Sequence, residues 1–159
     1  MIEMVLVSLL FAVLLVGAAI WRLHEFPESI SALVYLLKWP WMWTLWLWIV
    51  VLLITPAMIE AVGDGWQFVA FLSASSLLFC GAMPLFLAEH HTAHNILGVT
   101  GGVLSQVCVA VISPLWLLVW LLFIPLSAGI WRQTSYKGVF IAEALCSVAL
   151  YGALLTSWI

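Results

Sequence analysis

The residues best suited to chemistry lie in one heptapeptide, Glu89-His90-His91-Thr92-Ala93-His94-Asn95, which holds three of the four histidines. On a helix, His90 and His94 stand at i and i+4, a spacing at which two imidazoles can share one metal ion. His91 and Asn95 form a second pair at that spacing. Glu89 can complete such a site, and the donor set suits zinc or another divalent first-row ion. Imidazoles also titrate near neutral pH, so the same groups could relay protons. A structural reading competes with both. A short connection between two apolar segments must be polar to stay hydrated, and His and Asn satisfy exposed amides at helix ends.

Glu143 is the second focus, because it is the one acidic residue well inside an apolar segment. It lies about five residues in from one end, roughly 7–8 Å at 1.5 Å per residue. Ser147 and Tyr151 follow at i+4 and i+8, so this segment carries one polar stripe. Polar groups at that depth are costly and face protein or water rather than lipid. The carboxyl is expected to be neutral, to pair with a histidinium from His90, His91 or His94, or to bind a cation. Two further stripes mark packing faces. One is His94, Gly98, Gly102 and Gln106, whose GxxxG lets another backbone approach closely and is joined by Gly101 and Ser105. The other is Ser73, Ser76 and Cys80, with Pro84 one turn on.

These residues are carried by a chain that is 67% apolar and 7% charged, with four Lys/Arg against seven Asp/Glu. A soluble domain is about 45–50% apolar and about 25% charged. That composition excludes a soluble enzyme, a disordered chain and a nucleic-acid binder, since four basic residues cannot build a phosphate-binding surface. The expected fold is all-α: one polytopic transmembrane domain over residues 1–159. Six apolar segments each approach the roughly 20 residues a bilayer requires. They lie at about 4–21, 39–59, 66–88, 93–112, 114–131 and 138–158. None alternates as the strands of a membrane barrel do. The first segment begins Met-Ile-Glu, without the basic residues of a secretory signal, and is read as a span. Cys80, Cys108 and Cys146 all fall within apolar runs and read as small buried thiols, not a disulfide framework.

The first connection is the longest. Within it, Pro27 is followed by Ile30, Leu33, Val34 and Leu37 at helical spacing, which predicts a short amphipathic helix lying in the membrane interface. With six spans, Arg22, Lys38, Arg132 and Lys137 all fall on one side, while Glu3, Glu60 and Asp64 fall on the other. The positive-inside rule makes the basic side cytoplasmic and both termini extracytoplasmic. Tryptophans agree: Trp21, Trp39, Trp41 and Trp131 mark one interface, and Trp66, Trp116 and Trp158 the other. The denser run from Trp39 to Trp48 puts Trp39, Trp43 and Trp46 on one helical face and Trp41 and Trp48 on another. It reads as lipid-facing bulk or as a lipid or partner platform.

The HxxxH of His90 and His94 is similar to the histidine pair of the alkaline-ceramidase-like superfamily of membrane metal hydrolases. In that superfamily the pair lies in the last span, with Ser, His and Asp ligands in other spans. Here it precedes span four, and the single Asp, Asp64, is in an outer loop, so the activity is not carried over. As a whole the chain resembles a small bacterial inner-membrane protein. The expectation is a multi-pass inner-membrane module handling a small molecule, lipid or ion at a His/Glu site near the cytoplasmic face. The site is Glu89, His90, His91, His94 and Glu143, with a divalent metal such as zinc as candidate cofactor. Spans three, four and six should form an inner bundle through Ser73, Ser76, Gly98, Gly102, Gln106 and Ser147. The partners are the bilayer and, through span four, a second copy or another membrane protein. The alternatives are an inert packing subunit and a metal-dependent hydrolase of a lipid-like substrate.

Overall fold

The computed structural model describes residues 1–24, 26–36, 40–86, 91–131 and 138–158. Its regular elements are all helical: α1 (Ile2–Leu23), α2 (Leu33–Leu36), α3 (Pro40–Ala61), α4 (Gln67–Phe86), α5 (His91–Ile112), a 3-10 helix (Pro114–Leu122), α6 (Phe123–Trp131) and α7 (Gly138–Thr156). α1, α3, α4, α5 and α7 contain the five stretches long and apolar enough to cross a membrane. Each satisfies its own backbone hydrogen bonds, which is why long apolar runs fold as helices where water is excluded.

Neighbouring helices form a ring. α1 packs on α3, α3 on α4, α4 on α5, α5 on α7, and α7 returns to α1. The α4–α5 contact is the most extensive, and Gly101 explains part of it. A Cβ at Gly101 would lie 2.7 Å from Leu77 Cγ and 3.3 Å from the Leu77 backbone nitrogen. The 3-10 helix packs against α5 and α7. There Trp116 lies flat on Gly152, with no room for a Cβ between them. α4, α5 and α7, the spans three, four and six of the expected inner bundle, are successive members of this ring, with α5 between the other two.

The ring has two unlike ends. At one, Val5, Met58, Ala70, Val109 and Leu154 belong to an apolar core drawn from all five long helices. The turn from α3 to α4 closes this end with Gly63 (φ 69°) and Gly65 (φ 89°), conformations that suit glycine. At the other end the filling comes from the α1–α3 connection. α1 stops at His24, which adopts the left-handed conformation (φ 55°) and turns the chain back. Leu33 and Val34 are then fully buried with Trp43, against Leu15, Ala19 and Leu23 of α1 and Trp46 and Leu47 of α3. Leu15 lies eight residues before the end of α1, about 12 Å down the helix.

This packing corrects the expectation of a helix lying in the interface. Among the described residues of this connection only Leu33–Leu36 is helical, and Leu33 and Val34 point into the ring. Residues 26–36 form a strap across the end of the bundle. Span five also differs from the expected single α-helix, being 3-10 over nine residues and α over the next nine. α5 and α7 run parallel: Gln106 meets Cys146, and further along both helices Val109 and Leu154 share one core. The chain between them therefore returns from one end of the ring to the other.

Candidate functional site

The strap is held by Glu143. One carboxylate oxygen accepts hydrogen bonds from the backbone N–H groups of Ile30 and Ser31. The other accepts from the Ser31 hydroxyl at 2.8 Å. These amides precede α2 and have no helical partner of their own, so the carboxylate completes the start of the strap. Alongside, the Phe140 N–H donates to the Glu28 carbonyl at 3.1 Å, and the Phe26 and Phe140 rings pack 5.6 Å apart. Ser29 Oγ accepts from Ala32 N at 2.8 Å, tightening the turn. Glu143 was expected to find a histidine. Its partners among the described residues are instead the two amides and one hydroxyl of the strap.

Next to the strap, Pro84 sets up a second arrangement. Proline has no N–H, so within α4 it leaves the carbonyl four residues earlier, that of Cys80, without its helical donor. His94 supplies one, its Nδ1 donating to the Cys80 oxygen at 2.9 Å. The adjacent Gly81 carbonyl accepts from Thr44 Oγ1 at 2.7 Å, and the Leu78 carbonyl from Trp48 Nε1 at 2.9 Å. A proline inside a spanning helix is tolerated where neighbouring helices satisfy the backbone groups it releases. His94 is consequently buried, 3% exposed, and its tautomer is fixed with the proton on Nδ1.

Cys80 and His94 have the residue types of a thiol and its general base. The geometry argues otherwise. Cys80 Sγ lies 3.5 Å from Nδ1 and 3.9 Å from Nε2. A thiol aimed along the lone pair of one ring nitrogen would stand well away from the other. Near-equal distances place the sulfur against the side of the ring, and Nδ1 is already committed to a carbonyl. A nucleophile needs a base within hydrogen-bond reach and correctly directed, which this pair lacks.

Aromatic rings complete the cluster. Trp43 lies 5.8 Å from His94 between ring centroids, and Tyr35 of the strap lies 6.2 Å away, edge-on. The Tyr35 phenol is pushed above its ordinary pKa by burial and then by the neighbouring Cys80. Trp43 is 2% exposed, yet its indole N–H has no hydrogen-bond partner among the described residues. Buried polar groups are nearly always paired, so this orphan donor is the most unusual feature of the cluster.

The other singled-out residues are largely structural. Ser73 Oγ donates to the Gly101 carbonyl across the α4–α5 contact. Ser76 and Ser147 donate to carbonyls of their own helices. Gln106 joins three elements, donating to the Cys146 carbonyl at 3.2 Å and accepting from Trp120 Nε1 at 3.0 Å. Tyr151 donates to Ser8 Oγ at 2.6 Å, because the single Ser8 hydrogen goes to the Val50 carbonyl at 2.9 Å. That chain ends on a carbonyl and clips α1, α3 and α7 together; it does not relay protons. Gly98 faces Cys80 Sγ at 3.3 Å, whereas Gly102 has open van der Waals contact with Cys146 at 4.0 Å.

Glu89, His90 and the His91 side chain lie outside the described residues. Among the described residues, no three His, Cys, Asp or Glu side chains converge as metal ligands. The structure brings His94 together with Cys80, Tyr35 and Trp43, and joins Glu143 to the strap. Tyr35 and Ser31 were not singled out by sequence, and Trp43 only as one member of the tryptophan run. The usable signal was the four-residue step from Pro84 back to Cys80, which marks a carbonyl in need of a donor. Comparison of the chain with protein-family models, curated proteins and solved structures finds no significant match.

Proposed function

We propose that the chain is a six-span inner-membrane module that handles a small ligand or ion at the strap end of its ring. His94, Trp43 and Cys80 form the receiving cluster, beneath a strap that is held by Glu143 and sets Tyr35 against His94. The observation that carries this reading is the buried, unpartnered indole N–H of Trp43 beside the His94 ring. An orphan donor costs on the order of 1–3 kcal/mol, and a ligand with an acceptor oxygen would recover that cost. The ligand class is therefore one presenting a carbonyl, carboxylate, phosphate or ether oxygen.

Two observations support six crossings. α5 and α7 are parallel, so the chain between them must travel the height of the ring. The 3-10 helix rises about 2.0 Å per residue and α6 about 1.5 Å, so nine residues of each reach about 31 Å. That matches a hydrocarbon core of about 30 Å. In the six-span reading Arg22, Lys38, Arg132 and Lys137 all fall, by sequence, in connections on one side, which we assign to the cytoplasm.

A second reading, an inert packing subunit, is favoured by how many polar side chains bond across helices. Ser8, Thr44, Ser73 and Gln106 each donate to a carbonyl of a neighbouring helix. Metal-dependent hydrolysis gains no support from the described residues. Native mass spectrometry of the protein released from lipid nanodiscs separates the first two readings. Wild-type protein is expected to retain a small molecule that Trp43→Phe, which keeps the ring and removes the donor, releases. Wild-type protein with no retained mass besides bilayer lipid favours the packing subunit.

A further inference from the structure

We infer that residues 26–36 are a gate over the cluster, with Glu143 as its latch. This inference rests on the ligand-handling reading and adds its regulation. The strap bridges the ring: its first half is bonded to α7, and its second half reaches α1, α3 and α5. Leu33 and Val34, fully buried, pack directly on Trp43, and Tyr35 packs on His94. The orphan indole nitrogen is itself buried. No ligand reaches it until the segment packed on Trp43 moves.

The two halves are held by different forces. Leu33 and Val34 are held by non-directional apolar contact. Glu143 holds the other half through three directional hydrogen bonds, all accepted by one side chain. Loss of that acceptor leaves Ile30 N and Ser31 N unpaired in a partly buried site, with Ser31 Oγ held only by Ser29 Oγ, an arrangement relieved when the strap lifts toward water. The carboxylate therefore favours the closed state, and any group that competes for it favours the open one. A ligand carrying its own donors could lift the strap by drawing on the same carboxylate.

The test places a thiol on the strap at a buried position. Val34→Cys is introduced into the full chain with Cys80, Cys108 and Cys146 changed to Ala, in nanodiscs, and maleimide labelling is timed. Labelling at position 34 is expected to be slow with Glu143 present. It should accelerate at least about tenfold in Glu143→Ala, since losing even one carboxylate-accepted hydrogen bond is worth that factor. In Glu143→Gln, whose amide oxygen still accepts the two N–H groups, the rate should stay within about threefold of the parent. Ser31→Ala, which removes one donor and leaves the helices untouched, should give an intermediate rate, and it decides the matter if Glu143→Ala does not fold. Equal labelling in the parent, Ser31→Ala and any folded Glu143→Ala would overturn the latch. Because labelling involves no ligand, an accelerated rate with no retained mass in native spectra overturns the ligand reading alone. A retained mass with unchanged labelling overturns the gate alone.

Discussion

At the scale of single residues, the most instructive group is Pro84, Cys80 and His94. Proline withdraws a donor from the Cys80 carbonyl, and a histidine from the next helix replaces it. His94→Leu should therefore destabilise the protein by about 1–3 kcal/mol through an unpaired carbonyl. Pro84→Ala restores the helical donor, so His94→Leu should cost measurably less in that background. A thermal or chemical unfolding cycle in detergent reads the coupling, and strict additivity would contradict the pairing. A second residue-level prediction separates the glycines of α5. Gly101→Ala, with its Cβ 2.7 Å from Leu77, should cost about 1–3 kcal/mol. Gly102→Ala meets only an ordinary contact and should be neutral, or stabilising by up to about 1 kcal/mol through helix propensity. Sequence pointed at Gly98 and Gly102 because their spacing is a known motif. It could not say which glycine faces the tightest neighbour, since that depends on the partner helix.

At the scale of elements, the strap is where sequence and structure part. Ile30, Leu33 and Val34 have the spacing of an interfacial helix, and the same spacing serves a segment turned inward. Periodicity defines an apolar face without saying what covers it. Glu143 was legible as costly and therefore purposeful, but its partners were not, because backbone amides and a serine leave no charge pattern to read. The long helices, by contrast, were legible almost to their ends. α3 and α4, expected at about 39–59 and 66–88, form over Pro40–Ala61 and Gln67–Phe86, because a continuous apolar run of about the length needed to cross a bilayer marks its own ends in the sequence. The run of tryptophans was legible only as lipid-facing bulk or as a lipid or partner platform. Trp46 and Trp48 prove to donate to the carbonyls of Phe11 and Leu78 on neighbouring helices. For the strap, Glu143→Leu should destabilise by about 1–3 kcal/mol, as three donors lose their acceptor. Had the carboxyl been only a burial penalty, an apolar residue there would have stabilised the fold. Chemical unfolding of the two proteins in one detergent gives the sign.

At the scale of the whole molecule, the described helices form a ring with one end filled by its own apolar core and the other by the strap. The proposed orientation rests on the four basic residues falling, by sequence, in connections on one side, so a reporter fused after residue 131 should read cytoplasmic and one after residue 159 extracytoplasmic. Like signals at both positions would remove one of the last two crossings. The central claim is that the α1–α3 connection lies inside the ring, tied to Glu143, and hydrogen–deuterium exchange in nanodiscs tests it most directly. In wild-type protein the amides of Ile30 and Ser31 should be protected to a degree comparable with the first turns of α7. In Glu143→Ala they should exchange much faster while the cores of α4 and α5 stay protected. Rapid exchange at Ile30 and Ser31 in the wild-type protein, indistinguishable from that in Glu143→Ala, would contradict the account.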